Sequence, residues 1–480
     1  MPEDFSRFGS GGATNITPEA LFLVATAIVL LFVLPRKYVI VPFLIIAIFI
    51  PFSQVLVIGG LHFGMIRIVI LFAWVRMVGS MLMGSRESLR LQMNPLDRVV
   101  VLWSIASVIS FTLLWGSSGA FINRLGFLYN TVGIYFLFRW LIRDLQDVDR
   151  TMKTLVFICF VVAIFMWNEQ VTGRNMFAIF GGAPQFTVVR EGYRRAQAAF
   201  AHEILAGVFG ATLLPLGVGL WSNGGRSKKI ALIGILSAVA VSIASGASTA
   251  LIALAAGIAA LCFWPLRRQM RLFRWGVVFV LIALHLVMQA PVWALIGRVG
   301  IFGGSSGYHR YMLIDQSIRH FGEWWLLGVR DTSKWGWDMW DTSNFYVETA
   351  VTGGMVTLIF FVAVIVCSFQ SLGRARKAVE GKLAAEWRCW IFGAALCSHA
   401  VAFVGVSYFD QTIVSWYALL AMISVVATAP ETTSVELGLV AETVNTLPKR
   451  LAPVSLKTSS SSSTSPALLI SGKERKYEGQ

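Results

Sequence analysis

The sequence predicts an all-α fold: a polytopic transmembrane helical bundle of about 12–13 spans, with a large periplasmic loop that contains short amphipathic helices. Three observations predict it. The chain has 480 residues, of which 56% are hydrophobic and only 14% charged, with a mean hydropathy of +0.70, whereas an ordinary soluble domain is about a quarter charged. The apolar residues are gathered into long runs; roughly 270 of them suffice for about a dozen helices of about 20 residues each. The 40 Lys and Arg, which give a formal net charge of +15, fall mainly between those runs. This pattern excludes a secreted disulfide scaffold, a disordered chain and a nucleic-acid-binding domain as the main body.

In chain order the runs are Ala20 to Leu34, Val39 to Gly60, Ile66 to Met83, Val99 to Trp115, Leu125 to Phe138, Thr154 to Trp167 and Ile204 to Trp221. Ile230 to Ser245, Ala250 to Trp264, Trp275 to Ala294, Thr349 to Ser368, Trp390 to Ser407 and Thr412 to Ala429 complete the set. The stretch from Ile230 to Leu266 is too long for one crossing, so it is divided at Ser245-Gly246-Ala247-Ser248. Residues 1–19 form a polar N-terminal segment without the basic region of a signal peptide. Residues 20–429 form the membrane domain, and 430–480, with the run Thr458 to Pro466, are expected to be a disordered cytoplasmic tail.

Short loops set the orientation. Arg86, Arg90 and Arg98, then Arg143, Arg150 and Lys153, then Arg226, Lys228 and Lys229, then Arg267, Arg268, Arg271 and Arg274, then Arg374, Arg376, Lys377, Lys382 and Arg388 all fall on one side. Positive charge marks the cytoplasm. The opposite side receives two longer polar segments, 169–200 and 291–343, where outward function is expected. Cys159, Cys262, Cys367, Cys389 and Cys397 lie in or beside apolar runs and show no metal-ligand spacing. Within the spans, charge is nearly confined to Arg67, Arg76 and Arg139; no Asp or Glu lies mid-span, which weakens a proton-coupled carrier. His285 and His399 read as hydrogen-bonded core histidines.

The outward loops hold Arg174, Arg190, Arg194, Arg195, Arg298, Arg310, Arg319 and Arg330 but a single lysine, Lys334. Taken singly, each fits a lipid headgroup; as a set they fit a phosphate-bearing ligand, which a planar guanidinium grips well. Arg194 and Arg195 precede a helix expected to start near His202, whose positive end favours an anion. His202 and Glu203, adjacent on a helix, point about 100° apart and suit a helix start better than an acid/base pair. In the second loop, Gly303 to Tyr311 leads into an amphipathic stretch from Met312 to Phe321, on which Arg310, Ser317 and Phe321 are spaced to share or neighbour one face. The glycine run lacks the spacing of a nucleotide loop. Five tryptophans between Trp324 and Trp340, among them Trp337 and Trp340, read either as a headgroup-level aromatic belt or as sugar-stacking platforms beside Asp338, Asp341 and Asn344.

The order of these motifs resembles the O-antigen ligase and polysaccharide polymerase family of bacterial membrane glycosyltransferases, over roughly Arg195 to Ala429. Arg195 and Phe200 match its pattern R-x-x-G-x-F, with Ala198 at the glycine, and Leu214-Pro215-Leu216 fits the helix that follows. Arg310 matches a second outward arginine, and Trp325-Leu326-Leu327-Gly328 the P-L-L-G element after it. Asn344, Tyr346 and Gly353-Gly354 match the end of the loop, where Ser343 replaces a histidine. Ser245 to Ser248 lacks the family's Ser-Arg step.

The resemblance implies transfer of a glycan from a polyprenyl-diphosphate carrier to a sugar hydroxyl at the periplasmic face of the bacterial inner membrane. Because of Ser343, a polysaccharide polymerase is favoured over a ligase acting on lipid A core. It implies diphosphate contacts for Arg195 and Arg310, with Arg194 and Arg298 as helpers and no metal or other cofactor. Asp341, His309 and Glu348 are the candidates for the acceptor hydroxyl, and Asn344, Tyr346, Trp337 and Trp340 for substrate binding. The expected partners are the lipid-linked glycan, membrane lipid and other polysaccharide assembly proteins, with no nucleic acid. Two readings of another kind stand beside it: a carrier for a lipid-linked or anionic substrate, and a non-catalytic subunit of an export complex.

Overall fold

The computed structural model describes residues 14–59, 61–83, 93–222, 224–298 and 306–446. The N-terminal segment through 13, Arg86 and Arg90, the glycine run Gly303 to Ser305 and the tail from 447 lie outside them. The chain divides into a unit Met1–Thr432 and a second, Thr433–Gln480, whose described part is the end of the last helix.

The protein is an all-α polytopic bundle. Its long helices are α1 (Pro18–Val33), α2 (Arg36–Phe49), α3 (Met65–Leu82), α4 (Pro95–Trp115), α5 (Ser118–Leu141), α6 (Leu145–Thr172) and α7 (Glu203–Trp221). They continue with α8 (Gly225–Ala244), α9 (Ser248–Cys262) and α10 (Met270–Val287). The loop helices α11 (Ser306–Arg319) and α12 (Phe321–Trp324) follow, and α13 (Phe345–Ala378), α14 (Leu383–Ala402) and α15 (Thr412–Thr446) end the bundle. Among the described residues, eight helices are long and apolar enough to cross a membrane, and α1 and α9 are shorter apolar helices. This is a multi-pass membrane protein. Eight is below the 12–13 expected because α1, α2 and α9 are short and α5 and α14 are more polar.

The sequence boundaries hold at most places and fail where a turn hides in an apolar run. The division at Ser245 to Ser248 is the α8–α9 corner. The run Val39 to Gly60, by contrast, is a helix only to Phe49; it then becomes β1 (Val55–Ile58), paired antiparallel with β2 (Leu61–Gly64). Pro51 and Gly59, at φ 59°, supply the breaks. Pro430 does not end the last helix, which runs to Thr446.

Position in the bundle follows hydrophobicity around each helix. α7 is apolar on all sides and almost wholly buried, hence central. No residue of α10 is buried, so its apolar surface is left for lipid. At the arginine-rich end each buried acid is answered: Asp97 by Arg139 (3.0 Å), Asp147 by Arg36 (3.0 Å) and Arg150, and Glu386 by Arg267 (3.0 Å) and Arg376 (3.5 Å). Arg67 donates to Asn130 and the His62 carbonyl, and Arg76 to the Leu31 carbonyl, so both serve the fold. His399 is buried and meets the Tyr408 hydroxyl at 2.9 Å, as a core histidine should; His285 accepts from the Val292 amide but is exposed on α10, so the expected core position is corrected there. The cysteines are free, with Cys159 and Cys389 buried and Cys262 exposed.

Candidate functional site

The opposite, loop-rich end gathers the segments 173–202, 245–247, 288–298, 306–344 and 403–411. After α6, the chain folds into a hairpin of β3 (Val188–Arg190) and β4 (Tyr193–Arg195), turned through Glu191 and Gly192 at φ 53° and 81°. Successive side chains of a strand point to opposite faces, which parts the two adjacent arginines. Arg194 turns outward and donates to the Gln170 and Val171 carbonyls, both at 2.7 Å, capping the C-terminal end of α6. Arg195 turns inward, is buried, and pairs with Glu203 at 2.9 Å. Its Nε has no hydrogen-bond partner.

The next residues hold Arg195 in place. The Ala196 amide donates to the Ala244 carbonyl at 3.0 Å, and Glu169 accepts from the amides of Gln197 and Ala198. Ala198, where the resemblance expects glycine, stands at φ 50°, a left-handed conformation that glycine adopts without cost. His202 is the N-cap of α7: its Nδ1 accepts from the Ile204 amide at 3.2 Å. Burial lowers the His202 pKa, opposed by Glu203, so the ring is neutral and fit to accept.

Arg310, on α11, is only 6% exposed. Among the described residues it has no hydrogen-bond or ion-pair partner. Burial first, and then the charges of Arg195 and Arg190, push its pKa down to about 10. Both arginines approach the first turn of α9. A Cβ on Gly246 would lie 3.1 Å from the Arg195 Cγ; one on Gly405 would lie 2.7 Å from Thr249 and 3.2 Å from the Arg310 Nε. The α9 N-cap, Ala247, has no side chain to cap that turn, so the positive end of the helix adds to the two guanidiniums. Arg195 is thus answered by Glu203, whereas Arg310 has no anion among the described residues.

The remaining candidates separate. Asp341 is half-buried and near enough to act electrostatically on His202, so it belongs to the cluster. His309 contacts the Asp338 carbonyl at 2.9 Å. Arg298 is exposed at the end of a half-buried 3-10 turn, Val292–Arg298. Asn344 is buried and caps α13, accepting from the Tyr346 and Val347 amides at 3.0 and 3.1 Å, and the Tyr346 hydroxyl donates to the Ala400 carbonyl at 2.9 Å. Both residues therefore have structural roles. Ser317 shares α11 with Arg310, but Phe321 starts the separate α12, so the expected three-residue face does not form. The tryptophans also divide: Trp324 and Trp335 are core residues packed with Leu313, Met339 and Val351, whereas Trp337 is 94% and Trp340 71% exposed.

The motifs Trp325 to Gly328 and Gly353-Gly354 dock on each other. Gly354 breaks α13 at φ 71°, ψ −175°, a region essentially restricted to glycine. There the Met355 amide donates to the Trp325 carbonyl at 2.8 Å and the Val329 amide to the Val351 carbonyl at 2.7 Å. A Cβ on Gly354 would sit 2.4 Å from the Leu326 oxygen, and one on Gly328 2.3 Å from the Val351 oxygen. This docking fixes the loop carrying Arg310 to the bundle.

Sequence reasoning missed Asp410, Gln411 and Arg124. Asp410 accepts from the Ala201 and Thr412 amides at 3.1 and 2.9 Å, and Gln411 donates to the Ala199 carbonyl at 2.7 Å, so the 403–411 connection braces the segment after Arg195. The polar run Ser407 to Gln411 between two apolar runs was the available signal. No protein-family model matches the chain, and no curated protein is significantly similar to it.

Proposed function

We propose that the protein is a membrane glycosyltransferase that moves a glycan from a polyprenyl-diphosphate carrier to a sugar hydroxyl, and that it is a polymerase of a bacterial surface polysaccharide. The loop-rich end would then face the periplasm across the inner membrane. One observation carries the reading: Arg310 is buried beside Arg195 and Arg190 with no acid among the described residues to answer it. A buried charge without a partner costs several kcal/mol, of the order expected for an uncompensated ion. A diphosphate, dianionic or more and rich in acceptor oxygens, suits this cluster and the positive end of α9, whose N-cap Ala247 supplies no side-chain cap.

In the reaction, the acceptor oxygen attacks the anomeric carbon as the bond from that carbon to the phosphate oxygen breaks. The electron pair and the developing charge pass to the diphosphate, where Arg195 and Arg310 stabilise them. The hydroxyl proton passes to a carboxylate, for which Asp341, half-buried and acting electrostatically on His202, is the candidate. Trp337 and Trp340, exposed next to Asp341, supply flat apolar faces for sugar rings or for headgroups.

The test is polymer formation by the purified protein in lipid, with polyprenyl-diphosphate-linked repeat units as sole substrate. Wild type should extend chains, and Arg195→Ala and Arg310→Ala should lose at least a hundredfold while remaining folded. Transfer only when lipid A core is added would make it a ligase. Inactivity under both conditions would contradict the proposal and favour a carrier.

A further inference from the structure

A cavity of about 210 Å³ lies between α2, α4, α5, α13 and the 403–411 connection, and neither Arg195 nor Arg310 lines it. Its walls combine aromatic faces, such as Trp103 and Phe345, with Glu348, Asn130, Asp410 and Arg124. Phe52 and Phe409 line it and are about half exposed, which places its mouth at the loop-rich end.

The polar groups are only partly engaged within the protein. Asn130 uses its carbonyl oxygen for Arg67, which leaves its amide nitrogen to donate. Glu348 stands at the Ser407 hydroxyl, with Arg124 near enough to attract it. Arg124 lies 3.9 Å over the Phe111 ring, and its Nε has no partner; the Trp103 Nε1 also has none. Because Arg124 offsets Glu348, the cavity does not select a strong anion, and its polar walls do not suit an acyl tail. Aromatic faces beside carboxylates and an amide suit a neutral polyhydroxyl ligand, a sugar ring.

Its location gives that sugar a role. Asp410 and Gln411, which line the cavity, also hold the Ala199 to Ala201 backbone of the segment that follows Arg195. Asp341 acts electrostatically on both His202 in the arginine cluster and Glu348 in the cavity.

We infer that this cavity is a sugar-binding site, with Glu348 and Asn130 as its hydroxyl partners, and that it receives the terminal sugar of the acceptor glycan. Its assignment to the acceptor rests on the proposed transferase reading; sugar binding itself does not.

The experiment uses the full chain in lipid nanodiscs and two readouts. Equilibrium dialysis measures a tritiated repeat-unit oligosaccharide cut from the host's own surface polysaccharide, and a separate assay measures retention of undecaprenyl diphosphate. The variants are Glu348→Gln, and Thr352→Trp to fill the cavity. Oligosaccharide retention should fall at least tenfold in both, with undecaprenyl diphosphate retained within twofold of wild type. Unchanged oligosaccharide retention in both variants, no retention by wild type, or equal loss of both ligands would overturn the inference. Failure of wild type to hold undecaprenyl diphosphate would instead count against the transferase reading, while the oligosaccharide result would still decide the cavity.

Discussion

Arg310 has a charge that burial disfavours and that Arg195 and Arg190 disfavour further; on the proposed function a ligand, and not stability, accounts for it. Arg310→Met should therefore keep or raise the stability, by up to about 3 kcal/mol, while polymer formation is lost; melting and transfer measured on the same preparation check this. His202 allows a second prediction. Its folded pKa lies below the ordinary 6.5, so the fold favours the neutral ring. The stabilisation is complete above that pH and is lost as the pH falls through the lowered value. Protonation removes the acceptor for the Ile204 amide, and the new donation to Glu203, 3.2 Å away, returns part of the loss. His202→Asn, a cap that does not titrate, should flatten the acid side of the melting profile by on the order of 1 kcal/mol. At position 198, Ala198→Gly should stay within about 1 kcal/mol of wild type, since relief at φ 50° offsets a lost buried methyl, whereas Ala198→Val should be clearly destabilising. Chemical denaturation of the three proteins separates these outcomes.

Among the elements, the broken α13 has the most specific consequence. Gly354→Ala or Gly328→Ala would press a methyl against a carbonyl oxygen, and either should cost about 2 kcal/mol or more and loosen the loop that carries Arg310. Limited proteolysis between 306 and 343 checks it, with Gly373→Ala, which meets nothing nearby, as the control. The helices were legible in the sequence because each carries an apolar run, and the α8–α9 corner was legible from its small residues. The β1–β2 hairpin was not, because Val55 to Ile58 is as apolar as a helix and its turn is short. Arg195 and Arg310 were legible as outward arginines, but alternation along β4 was needed to separate Arg194 from Arg195. Asn344 and Tyr346 read as ligand contacts because a helix cap and a sugar contact use the same side chains. The cavity was not legible, since Asn130, Glu348 and Asp410 come from three distant segments.

For the whole molecule, the two ends differ in how charge is answered. Three buried acids at one end are each matched by arginine; at the other, Glu203 answers Arg195, and Arg310 has no acid among the described residues. With the loop-rich end outward, Trp337→Cys in a chain freed of its other cysteines should react with an impermeant maleimide from the periplasmic side, and labelling only after the membrane is opened would reverse the orientation. The central claim is that the arginine cluster holds a diphosphate. Its most direct measurement is retention of undecaprenyl diphosphate against undecaprenol by wild type and Arg310→Met in nanodiscs. We expect wild type to prefer the diphosphate at least tenfold, about 1.4 kcal/mol, and the variant to lose the preference. Equal retention of both lipids by wild type, or a preference that survives in Arg310→Met, would contradict the account.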